Sequence, residues 1–143
     1  MTTPGYGGEM HNQVCHQHTV GEVAYVDVPQ LVGIARATND LERRALLLDT
    51  VGDIVASRKC YPHGAAKLRD EWKTDYVRSC EEARTLTAES LQQADLDPDT
   101  SFQLLGTLAA LHGHADLALL LGGSRDLECA ECGEPIVFGR SEV

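Results

Sequence analysis

The sequence predicts an all-α protein, a short α-solenoid of about five helices that ends in a Cys-x-x-Cys knuckle. Three observations predict it. The 143-residue chain is 43% hydrophobic but only 5% aromatic, so Leu, Ala and Val must build its core. Small aliphatic side chains of that kind suit close helix packing better than a sandwich or barrel. Apolar residues recur three to five positions apart through most of the chain. The runs at 31–55 and 98–121 each read as a helical hairpin, with a long helical pattern between them, although no residue-level repeat of fixed period accompanies them. The length fits one domain, divided into a Gly- and Thr-rich flexible N-terminus (1–12), a helical-repeat domain (13–123) and a knuckle with its tail (124–143).

The first helical pattern runs from about Thr19 to Ala37, with Val20, Val23, Ala24, Val28, Leu31, Val32 and Ala35 on one face. Pro29 lies inside it, which predicts a kink or two helices meeting there, because proline removes a rung of the i to i−4 ladder. The alternation of Val23 to Val28 also allows a strand. Asn39-Asp40 caps a second helix, about 40–59, with Leu41, Ala45, Leu48, Gly52 and Val55 as its stripe and Leu47, Val51 and Ile54 widening it. Tyr61-Pro62-His63-Gly64 breaks the chain. A long third helix is predicted over 65–94, with Leu68, Trp72, Tyr76, Cys80, Ala83, Leu86 and Leu91 inward. Its other face carries Lys67, Arg69, Asp70, Glu71, Arg78, Glu81, Glu82 and Arg84. Asp97-Pro98 opens a fourth helix to about 112, with Phe102, Leu104, Leu105, Leu108, Ala109 and Leu111 apolar and Gly113 ending it. A short fifth helix, Ala115–Leu121, stops at Gly122-Gly123, and a short strand is expected at Ile136–Phe138.

With a formal charge of −10 and a pI near 4.9, the chain is a poor match for nucleic acid or an anionic membrane, both of which need a Lys/Arg surface. A basic protein partner, or plain solubility, fits better. The sequence shows no signal-peptide pattern and no apolar run near the ~20 residues of a membrane span. A reducing cytoplasmic setting is therefore expected, where paired cysteines read as metal ligands rather than disulfides. Of the five cysteines, Cys80 reads as an inert packing residue and Cys60 as a helix-end residue with no stronger signal.

The remaining cysteines carry the sharpest chemistry. Cys129 and Cys132, followed by Gly133, form one lobe of a zinc-ribbon site, since thiolates at this spacing on a tight turn can reach one ion. Only 11 residues follow Cys132 and none is Cys or His, so the other lobe must come from elsewhere. A redox or incidental pair is the competing reading. Candidate partners are Cys15, His16 and His18 near one end, and His112 and His114 at the turn between the last two helices. Each has a plainer explanation, helix capping for the first group and complementing a helix dipole for the second. Cys129 and Cys132 with two of Cys15, His16, His112 and His114 would close a structural zinc site; with only one, a position would stay open for catalysis. Tyr61, His63, Asp70, Glu71, Asp75 and Tyr76 contain acid and base groups, but no spacing among them demands a paired-carboxylate site. No phosphate-binding or nucleophile-elbow motif is present, and Gly5-Tyr6-Gly7-Gly8 lacks the flanking strand and helix a phosphate cradle needs.

The stretch Asn12-Gln13-Val14-Cys15-His16-Gln17-His18-Thr19, followed by Val28-Pro29-Gln30-Leu31-Val32-Gly33-Ile34-Ala35, resembles a group of bacterial, mostly actinobacterial, helical-repeat proteins. Their pattern is a His-Gln-x-Thr block and then a Val-Pro-x-Leu-x-x-x-Ala helix. His16, Gln17 and Thr19 match the block, and Val28, Pro29, Leu31 and Ala35 match the helix. Phe102-Gln103-Leu104-Leu105, Ala109-Ala110-Leu111-His112-Gly113 and the knuckle follow in the expected order, so the resemblance covers about residues 12–134. It implies a HEAT-like fold and a similarity to immunity-type proteins found near polymorphic-toxin loci. His18 departs from the pattern, standing where the group commonly has Gly.

The sequence therefore predicts a small acidic helical-repeat binding protein, possessing a zinc knuckle and acting on a protein partner of basic character or on a small molecule. The alternative is a metal-dependent enzyme of a small-molecule biosynthetic pathway, built on a Cys/His site.

Overall fold

The computed structural model describes residues 20–93, 95–122, 126–128 and 135–137. Among them are five α-helices: α1 (Glu22–Ala37), α2 (Leu41–Cys60), α3 (Asp70–Leu91), α4 (Pro98–Leu111) and α5 (Ala115–Gly122). A 3-10 turn occupies Pro62–Gly64, and two short strands, β1 (Asp126–Glu128) and β2 (Pro135–Val137), follow α5. The fold is thus predominantly helical, as the composition and spacing predict. No described helix is long and apolar enough to cross a membrane.

α1 runs unbroken through Pro29, so the strand alternative and the two-helix alternative are both overturned. The helical face decides it. Ala24, Tyr25, Val28, Leu31, Val32 and Ala35 are buried, while Val23 and Val26, which a strand would have distributed differently, face outward. Arg44 of α2 ties the hairpin together. Its guanidinium donates to the carbonyl oxygens of Ala35 at 3.1 Å and Thr38 at 2.6 Å, groups left over at the end of α1. Asp40 caps α2 as predicted, accepting from the backbone N–H of Glu42 and Arg43.

α2 is the hub. Its buried residues include Leu47, Leu48, Thr50, Val51, Gly52 and Ile54, which lie on every side of the helix rather than on one stripe. It packs on α1, α3, α4 and α5, while α3 also packs on α1 and α4. α4 approaches so closely at Gly52 that a Cβ there would lie 3.1 Å from Thr107 Cα. Buried Ser and Thr make these close approaches tolerable by bonding back into their own helices. Thr87 and Ser90 donate at 2.7 Å to the carbonyls of Ala83 and Leu86, and Thr50 and Thr107 do the same one turn back.

The third helix begins at Asp70, five residues later than predicted. Ala65 and Ala66 are instead held beside Val20, directly after the 3-10 turn. The Val20 N–H donates to Gly64 O at 3.0 Å and the Ala66 N–H to Val20 O at 2.7 Å. The Tyr25 hydroxyl donates to Ala66 O at 2.6 Å, locking that segment onto α1. Local spacing cannot see a pairing between residues so far apart in sequence. α4 matches its prediction closely, with Asp97 accepting from both the backbone N–H and the hydroxyl of Thr100 and Pro98 in the first turn. Gly113 then turns the chain with a φ of +86°, a conformation glycine adopts without strain.

Two apolar clusters result. The larger, under α1, α2 and α3, contains Tyr25, Leu31, Leu47, Leu48, Val51, Ile54 and Tyr76. The smaller, between α2, α4 and α5, consists among the described residues of Ala56, Ala109, Ala110, Ala115 and Ala118, with Cys60 packed against it. After α5, β1 and β2 pair antiparallel with Leu127 opposite Ile136, so the strand expected at Ile136–Phe138 is present as β2, starting one residue earlier at Pro135.

Candidate binding groove

A groove of about 860 Å³ opens where the C-terminal half of α2, the 62–68 segment, α3 and the end of α4 meet. Its floor is apolar. Val55, Leu68, Cys80 and Leu111 are half-buried side chains at the edge of the larger core, and Ala110 joins them from the alanine cluster. Its rim is cationic. Arg58 and Lys59 come from α2, Lys67 from the segment pinned by Tyr25 and Val20, and Arg84 from α3, against the single carboxylate of Glu81 among the lining residues. In a chain with 22 acidic and 12 basic residues, that local balance reverses the overall sign. Val77, Cys80 and Arg84 share a lining face of α3 because they fall three and four residues apart.

An aromatic wall positions one of these cations, Arg58. Tyr25 and Tyr76 meet edge to face with centroids 5.4 Å apart, and Trp72 lies 6.4 Å from Tyr25. The Arg58 guanidinium sits over both tyrosines, 5.6 Å from the Tyr25 centroid and 5.9 Å from that of Tyr76. Lys59 is already engaged, its ammonium donating to Gly113 O at 2.6 Å. Arg58, Lys67 and Arg84 take part in no ion pair between described residues; the pairs there are Arg36–Glu82, Arg69–Glu22, Arg69–Glu71 and Arg78–Asp75.

The titratable groups of the wall are held neutral. Burial pushes the Tyr76 hydroxyl well above its ordinary range. Burial also pushes the Cys80 thiol up to about 11, against the opposing pull of a hydrogen bond with Tyr76 and of the Arg58 charge. Tyr25 is raised by burial too, with Arg58 pulling it back. A thiol so far above neutrality supplies little thiolate, so Cys80 is a poor nucleophile.

The predicted metal ligands separate into two sets. His112 and His114 are exposed on the α4–α5 turn. Cys15, His16, His18, Cys129 and Cys132 lie outside the described residues. No group of three or more His, Cys, Asp or Glu side chains converges among the described residues. The nearest approach to a chemical pair is Cys60, whose Sγ lies 3.4 Å from Asp116 Oδ1; burial and this acceptor raise its thiol pKa. Tyr61, His63, Asp70, Glu71 and Asp75 are exposed and spread over the 3-10 turn and the first turns of α3, and Tyr76 alone of that set turns inward.

Of the groove residues, Lys67 and Arg84 read in the sequence only as the charged face of the third helix and Arg58 was not singled out, because the three come from separate segments. The one available signal was that Arg84 continues the apolar spacing of Tyr76 and Cys80. Comparison of the chain with family models, with curated proteins and with solved structures returns no match.

Proposed function

We propose that this chain is a small helical binding protein that works through the groove between α2, the 62–68 segment, α3 and α4. One observation carries the reading, an apolar trough of about 860 Å³ with a cationic rim in an otherwise acidic protein. A volume of this size suits a bound ligand or an inserted side-chain cluster of a partner. The neutral Cys80 and Tyr76 favour binding over catalysis, since neither is poised to exchange a proton near pH 7. The occupant of the groove is anionic by complementarity; a basic partner, which the net charge alone suggests, would have to use a different face.

A HEAT-like arrangement is supported by the successive pairs α1–α2 and α4–α5, which pack through α2, with α3 covering α1 and α4 on one side. The immunity-type form of the function rests on the sequence resemblance alone. Zinc at Cys129 and Cys132 is supported by their position in the sequence between the paired strands β1 and β2, with Cys15, His16, His112 and His114 as candidates to complete the shell. Metal analysis of the purified chain tests it: one equivalent of zinc, lost in Cys129→Ser with Cys132→Ser, is expected, and a metal-free protein sinks it.

The test of the binding function is co-purification from the native cells. The full chain should retain a molecule, protein or small, that the double variant Lys67→Glu with Arg84→Glu releases. Both side chains are exposed, so the variant should fold. Equal recovery by both proteins would remove the groove from the function.

A further inference from the structure

We infer that the groove takes a small amphiphilic carboxylate, an apolar body carrying one anionic head. The inference rests on the binding function proposed above and names the chemistry of its ligand. The floor and the rim make different demands. Val55, Leu68 and Leu111 are aliphatic groups left at the edge of the larger core, where that core meets the groove. An apolar body that covers them removes this surface from water. Cations border the same trough from three elements, so an anionic head can meet one of them from several positions along it.

Arg58 is the best-prepared of these cations. It is held over two aromatic faces within 6 Å of each centroid, and it has no carboxylate partner between described residues. A guanidinium already fixed in this way loses little freedom on meeting a carboxylate, and its planar fork matches the two oxygens. Lys67 and Arg84, exposed as Arg58 is, likewise have no ion-pair partner between described residues. They attract the head and select against a cationic one. The neutral Tyr76–Cys80 pair beneath adds no competing negative charge.

The experiment is a calorimetric titration of the full chain with monomeric decanoate, decanol and decyltrimethylammonium. Protection of Cys80 from alkylation at pH 9, where a thiol raised to about 11 supplies enough thiolate to react slowly, read by mass spectrometry against the ligand-free chain, gives the location. Decanoate should bind and shield Cys80, decanol should bind several-fold more weakly, and the cation should not bind. Lys67→Glu with Arg84→Glu should weaken decanoate roughly three- to tenfold and leave decanol unchanged, the scale of two exposed ion pairs. Val77→Trp, which narrows the mouth and keeps every charge, should weaken both. Decanol binding as well as decanoate, or decanoate ignoring the double variant, overturns the inference by leaving only a non-selective apolar surface. So does Cys80 shielded in the free chain and released by the double variant, which would mean an acidic segment of the chain itself fills the groove. If decanoate fails to bind while the double variant still releases a co-purifying partner, the ligand class is wrong and the binding function stands.

Discussion

The two sides of α2 are packed by opposite means. Toward α1 and α3 it meets large side chains, with Tyr25, Leu31 and Tyr76 closing around Leu47, Leu48, Val51 and Ile54. Toward α4 and α5 it meets Leu104 near one end and otherwise alanines, with Gly52 letting Thr107 approach closely. Large side chains hold helices apart and fill the space between them; small ones let the backbones close and leave nothing to fill. The groove lies at the junction, where Val55, Leu68 and Leu111 end one cluster and Ala110 belongs to the other. A binding site therefore arises where neither packing mode is completed.

The contrast can be broken most sharply on the large-residue side. Leu48 is fully buried, and Leu48→Ala should cost about 2–5 kcal/mol in urea unfolding, the range for truncation in a packed core. On the small-residue side the sign of the volume change reverses. Gly52→Ala adds a methyl 3.1 Å from Thr107 Cα; the overpacking cost of about 1–3 kcal/mol is offset by the ~1 kcal/mol that alanine gains over glycine inside a helix, so a net loss of about 0–2 kcal/mol is expected. A gain of about 1 kcal/mol, the bare helix-propensity difference, would mean that α2 and α4 are not held at this separation. Asp40→Ala, which removes the cap of α2 and touches neither cluster, should cost only about 1 kcal/mol.

A smaller effect separates the groove wall from both clusters. The Cys80 thiol is raised to about 11 from an ordinary 9.0, so the unfolded chain ionises first. The stabilisation it contributes is complete below pH 9 and is lost as the pH rises from 9 toward 11. Cys80→Ala should flatten that part of the stability profile relative to wild type; identical slopes would contradict the buried, neutral thiol.

What was legible in the sequence was what recurs locally. The caps at Asp40 and Asp97 and the three-to-four spacing of Leu104, Leu108 and Leu111 are fixed within a few residues, and the structure places α2 and α4 close to their predicted limits. The late start of α3 was not, because it depends on Val20 bonding to Gly64 and Ala66 some 45 residues away in sequence. Nor was the burial of Thr87 and Ser90, which looks polar in sequence and is satisfied only by carbonyls one turn back in the same helix. The groove was hidden for a third reason. Net charge averages over the whole surface, whereas Arg58, Lys67 and Arg84 acquire a common meaning only when folding brings three segments together.

Hydrogen exchange on the full chain, alone and with the molecule that co-purifies with it, tests the central claim most directly. Protection should appear at the amides of 58–68 and 77–84 and not at 115–122 on α5. Protection confined to α5, or none in the groove segments, would contradict binding through this site.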